Sequence, residues 1–261
     1  MKNSLEFVLF SRHSLTESMA RRQIDTLVNF DGGIVCPDKW GNFEPLKTPF
    51  DAGDMSIPVK RLAEPQGQFF YRKGKPIQVQ GEIWNRTLPP TSRFPSPLFA
   101  NYWTGRFKGK WVDRVGLQRV QECVHQMFRA SGADFGFLTT EIDKEAKNTN
   151  SDSYSYQGMN LEDGVPGLYW LNLFSNGFAH WLGVDTFPRE LAETTWSDER
   201  GMSIMFAASP DRCRDIDVLQ KQRAAIEWLG SERFFDVHSP SRKLLSPNWE
   251  RIPVPDLPSS A

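Results

Sequence analysis

A chain of 261 residues with 39% hydrophobic and 13% aromatic side chains has enough apolar material for a core of single-domain size. Its formal charge of −1 lacks the basic excess of a nucleic-acid binder. Its three cysteines, Cys36, Cys123 and Cys213, are too few and too scattered for a disulfide framework and fit a reducing compartment.

The chain opens on MKNSLEFVLFSRH, a short apolar stretch stopped by Arg12, which argues against a signal peptide. No apolar run has the length of a membrane span, so the expectation is a cytoplasmic protein. Leu5, Phe7 and Leu9 alternate as a first strand. Ser14 and Glu17 have capping-box spacing for a helix that Asp31-Gly32-Gly33 stops, and Ile34–Cys36 reads as a short buried strand. From Pro37 to Pro97 the apolar runs are short, at Ile57–Leu62, Gln68–Tyr71 and Ile77–Trp84. Three or more antiparallel strands fit there, the last two runs joined by the turn Arg72–Lys75.

Val112–Ser131 has the clearest helical stripe: Val112, Val115, Val120, Val124, Met127 and Phe128, ending at Gly132. Phe135–Glu141 follows as a strand. Lys144–Asp163, the most polar stretch, reads as an exposed loop. Leu168–Phe174 then forms a strand covered on both faces, bounded by Pro166-Gly167 and Ser175-Asn176-Gly177. A short helix before Trp196, a strand Met202–Ala208 and a third long helix over Asp211–Leu229 complete the order. That last helix has Ile216, Leu219, Ile226 and Leu229 as its inner positions. Phe234–Val237 is a last strand. The sum is one α+β domain over residues 1–238, a largely antiparallel or mixed sheet packed with about three helices. Residues 239–261, rich in proline and serine, read as a flexible tail.

Motifs for chemistry are missing from the sequence. There is no GxSxG elbow, no glycine loop with phosphate-binding spacing, and no histidine with a histidine or cysteine as an i,i+3 or i,i+4 metal partner. The expectation is therefore no catalytic residue, no cofactor and no metal. One order stands against it: Asp134 followed by Glu145-x-Lys147 is the pattern of a metal-dependent nuclease, in which two carboxylates hold Mg²⁺ beside a lysine. In such a site the Glu-x-Lys pair lies on a buried strand, whereas here it falls in a solvated, charged stretch.

The segment PGLYWLNLFSNGFAHWLG resembles the glycine–aromatic signature of immunity protein family fifty-two of bacterial polymorphic toxin systems. The matching positions are Gly167, Tyr169, Trp170, Asn172, Phe174, Leu182 and Gly183; the family's usual Phe-Gly is replaced by Phe174-Ser175. The resemblance implies a cytoplasmic antitoxin without catalytic residues. Its partner would be a secreted toxin held non-covalently, often a restriction-endonuclease-like effector of a type VI secretion system. Direct binding of nucleic acid or membrane is not expected. A blocker of a basic nuclease cleft gains association rate from acids, and tyrosines among them add buried area. That places partner binding at Asp143, Glu145, Asp152, Tyr154, Tyr156, Glu162 and Asp163, with the glycine–aromatic residues as structural core. Fallback surfaces are the proline-rich middle and the basic turns Arg72–Lys75 and Arg106–Lys110. Alternative readings are the metal-dependent nuclease or a structural adaptor of a secretion or phage particle.

Overall fold

The computed structural model describes residues 4–74, 78–149 and 158–257, without the side chains of Trp111 and Arg114. The chain forms two compact units, one running to Ala133 and taking in the chain from Asp256, the other Asp134–Pro255. In each, antiparallel strands are packed with helices, the α+β class read from the sequence.

In the first unit the strands are β1 (Leu5–Ser11), β2 (Lys39–Gly41), β3 (Thr48–Pro49), β4 (Gln68–Lys73), β5 (Val79–Asn85) and β6 (Asn101–Phe107), in the order β3-β2-β4-β5-β6-β1. β6 alternates buried and half-buried residues along its length, the signature of a sheet with one well-covered face. Helices α1 (Glu17–Asn29), α2 (Ser56–Ala63) and α4 (Leu117–Ser131) supply the cover: α2 meets β4 and β5, α4 meets β1, and α1 touches both helices. Phe7, Phe107 and Trp103 fill the space beneath them. Gly105 makes room, because a Cβ there would stand 2.6 Å from the Phe7 ring.

Several expectations change here. Ile57–Leu62 is helical, within α2, because Pro58 fixes a helical φ in the first turn and Val59 and Leu62 turn inward. The first helix is capped by Thr16, whose hydroxyl accepts from the Met19 N–H at 3.4 Å, and not by Ser14. Ile34–Cys36 is a turn. The long helix divides into α3 (Gly109–Val115) and α4, since Gly116 stands at φ 90°, outside any helix.

The second unit orders β7 (Phe135–Thr140), β8 (Leu171–Ser175), β10 (Gly201–Met205) and β9 (Thr194–Asp198) as β7-β8-β10-β9. Helix α5 (Glu141–Asn148) leaves the end of β7, α6 (Asn176–Leu182) leaves β8, and α7 (Ile216–Leu229) follows β10. Phe234 makes a single parallel bridge to Val165, not a strand. Between residues 239 and 257 the chain is pinned: Trp249 stacks on Phe178 at 5.3 Å, and Ile252 is buried. On α7 the inner face is Val218, Gln222, Ala225 and Leu229, while Ile216 is 76% exposed. The expected apolar stripe was rotated, because a buried polar group claims Gln222. Among the described residues no helix is long and apolar enough to cross a membrane.

Candidate functional site

The glycine–aromatic segment is interior. Tyr169, Trp170, Asn172 and Phe174 have no exposed surface, and Leu182 has almost none. Each polar atom has a local task. Asn172 Oδ1 accepts the Tyr169 N–H at 2.8 Å, and its Nδ2 donates to the carbonyls of Tyr169 and Ile204. Trp170 Nε1 donates to the Ala207 carbonyl at 2.7 Å. The Tyr169 ring stacks on Phe137 with centroids 3.7 Å apart, and its hydroxyl donates to Asn148 Oδ1 at 2.6 Å. Gly183 ends α6 at φ 87°, a left-handed cap that Leu182 or Val184 beside it could not adopt without strain. The side chains of Tyr169, Trp170, Asn172, Phe174 and Leu182 are thus enclosed within the unit.

The polar stretch after β7 begins as a helix, not a loop. Thr140 caps α5 by accepting the Asp143 N–H at 3.2 Å, and Glu141 and Asp143 in the first turn face the positive end of the helix. The Thr140-x-x-Asp143 spacing and the Asp143/Lys147 i,i+4 pair are sequence signals for it. Asp143 is wholly buried, so its assignment to partner binding is corrected. Its carboxylate accepts from Thr139 Oγ1 at 2.7 Å and pairs with Lys147 Nζ at 2.8 Å, with Arg214 at 3.9 Å. Lys147 Nζ also donates to the Leu168 carbonyl at 2.7 Å and to Gln222 Oε1 at 3.0 Å, which uses all three ammonium protons. Burial pushes the Lys147 ammonium below the ordinary lysine range, and Asp143 pulls it back. Beside the pair, the Cys213 thiol lies 3.2 Å from Thr140 Oγ1, and burial raises its pKa.

Helical geometry also separates the nuclease pattern. Residues two apart on a helix point to different faces. Lys147 turns in to Asp143, whereas Glu145 is exposed beside Ala146 and Ile142, the last 51% exposed. Asp134 is buried, and its carbonyl accepts the Ser175 N–H. Among the described residues, no group of three His, Cys, Asp or Glu side chains is placed to hold a metal ion.

Of the expected contact residues, Glu145 is exposed at one end of the segment; Glu162 is half-buried and Asp163 exposed at the other. Asp163 Oδ2 accepts from Asn160 Nδ2 at 2.8 Å and borders a groove of about 440 Å³ whose other wall carries Arg242 and Lys243. Asp152, Tyr154 and Tyr156 lie outside the described residues. Sequence reasoning missed Ile142, an apolar side chain that the cap at Thr140 turns outward between the acids.

No protein-family model and no curated protein matches the chain. Among solved structures it is similar to the Pseudomonas aeruginosa T6SS protein PA0821, at 12% identity and a TM-score of 0.52, over 92% of this chain and 87% of that one. At that identity the likeness shows a shared fold.

Proposed function

We propose that the chain is a cytoplasmic immunity protein that binds and neutralises a secreted toxin, a nuclease effector of a type VI secretion system. The observation that carries this reading is the fold it shares, over nearly the whole of both chains, with a T6SS protein. The glycine–aromatic signature supports the immunity assignment, and its complete burial suits a rigid scaffold. The resemblance to family fifty-two rests on those motif residues alone.

The contact surface in this reading is the outward face of α5 together with the chain around Asp163. Ile142 supplies apolar area, and Glu141 and Glu145 supply charge against a basic cleft. Asp152, Tyr154 and Tyr156 remain part of the proposal through sequence alone. The test is co-expression with the product of the adjacent gene, followed by co-purification and a toxicity assay. The proposal expects a stable complex and rescue of growth. Absence of both, or metal-dependent cleavage of DNA or RNA by the purified protein that Glu145→Ala abolishes, refutes it.

A further inference from the structure

The first unit brings together basic residues that lie far apart in sequence. β4 pairs with β5 and β5 with β6, so Arg72, Gln80 and Arg106 form one cross-strand row, and Lys39 on β2 extends it opposite Arg72. At the neighbouring step the Lys108 N–H donates to the Gln78 carbonyl at 3.0 Å, which sets Lys108 beside the start of β5, and Lys110 follows two residues on, in α3. With strands about 4.8 Å apart, Lys39 to Arg106 spans about 14 Å, the length of roughly four extended residues.

The charges in this stripe are only partly answered. Glu6 pairs with Arg106 and Asp38 with Lys73, and Glu44 lies 3.5 Å from Arg72. Asp113 is a further acid nearby, on α3. Lys39, Lys108 and Lys110 are exposed and form no ion pair with a described residue. Lys39 directly opposite Arg72 is a like-charge cross-strand pair, an arrangement that costs stability in isolation. A ligand bearing negative charge turns that cost into attraction.

We propose that this end of the first unit is a docking surface for an acidic protein segment. Carboxylates, rather than a nucleic-acid backbone, fit the layout for two reasons. Phosphate-backbone binding typically enlists about 6–10 contacts, whereas among the described residues of the stripe Lys39, Lys108 and Lys110 are the lysines without an ion pair. Asp38 and Glu44 also interrupt the stripe; they repel a continuous phosphate chain, while discrete carboxylates fit between them. The surface stands independently of the antitoxin reading.

The test is titration of the whole protein with a synthetic oligoglutamate peptide, and separately with an oligothymidylate of equal length, at low and moderate salt. The wild type binds the oligoglutamate. Lys39→Glu/Lys108→Glu/Lys110→Glu, checked for an unchanged melting curve, binds it about tenfold more weakly, with the difference shrinking as salt rises. Lys60→Glu, at an exposed position of α2, leaves binding as in the wild type. No binding by the wild type, an equal loss in Lys60→Glu, or oligothymidylate bound as tightly as oligoglutamate overturns the proposal.

Discussion

The two units solve the same packing problem with different interiors. In the first, helices lie on an antiparallel sheet over Phe7, Phe69, Trp103 and Phe107, and a prominent polar contact in that interior is the Trp103 indole donating to the Tyr71 hydroxyl at 3.1 Å. In the second, the helices α5 and α7 meet the aromatic strand across an ion pair, two amides and a threonine hydroxyl. An apolar interior tolerates substitutions that keep volume, because its contacts are non-directional. A polar one must match every donor to an acceptor in low dielectric, so it specifies a single arrangement and fails when one partner is removed.

The largest effect that sharpens this contrast is expected at Trp170 in the second unit. Trp170→Ala leaves a large cavity and an unpartnered Ala207 carbonyl, and should cost about 5 kcal/mol in denaturant unfolding. Next comes Lys147→Ala, which strands the buried Asp143 charge at a cost of about 3–4 kcal/mol. The double change Asp143→Leu/Lys147→Met should recover most of that loss. A double variant as unstable as the single one would show that the pair itself, not its imbalance, holds the unit together.

The first unit should respond in the opposite sense. Gln23 is wholly buried on α1, and its side-chain amide meets no hydrogen-bond partner among the described residues. Gln23→Met keeps the volume, removes the polar cost, and should stabilise by about 1 kcal/mol in the same assay. Destabilisation there would mean that the first unit also depends on a buried polar group.

Proton linkage gives a smaller comparison. Burial raises the pKa of both Cys123, in the first unit, and Cys213, in the second. The folded chain therefore keeps thiol protons that the unfolded chain loses above about pH 8.5. Folding then binds more protons, so this contribution is fully present below that pH and declines as pH rises. Lys147, with its pKa lowered, acts in the other direction: the unfolded chain holds the extra proton, and stability rises toward the ordinary lysine range. Denaturant midpoints from about pH 7 to 10 should fall less steeply in Cys123→Ala, which has no opposing lysine beside it, than in the wild type. The smallest stability effect belongs to the surface. Glu145→Lys and Asp163→Lys should each shift stability by no more than about 0.5 kcal/mol, while slowing association with a basic partner at low salt.

The sequence by itself determined what is local or strongly periodic. Leu5–Phe10 announced β1, the hairpin around Arg72–Lys75 announced β4 and β5, and the stripe ending at Phe128 announced α4. The burial of Leu168–Phe174 followed from its unbroken apolar character. Pairing across the chain decided the rest. Glu145 and Lys147 look adjacent in sequence, yet the helix turns one to solvent and the other to Asp143, Leu168 and Gln222. The inner face of α7 was unreadable because Gln222, not Ile216, is the residue for which the interior has a donor waiting. The basic turns at Arg72 and Arg106 were legible in the sequence, but only strand register joins them in one row, with Lys39 against Arg72 and Lys108 beside Gln78. Period and composition report which residues leave water. They do not report which distant group each one meets, and a buried charge is stable only when that group is in place.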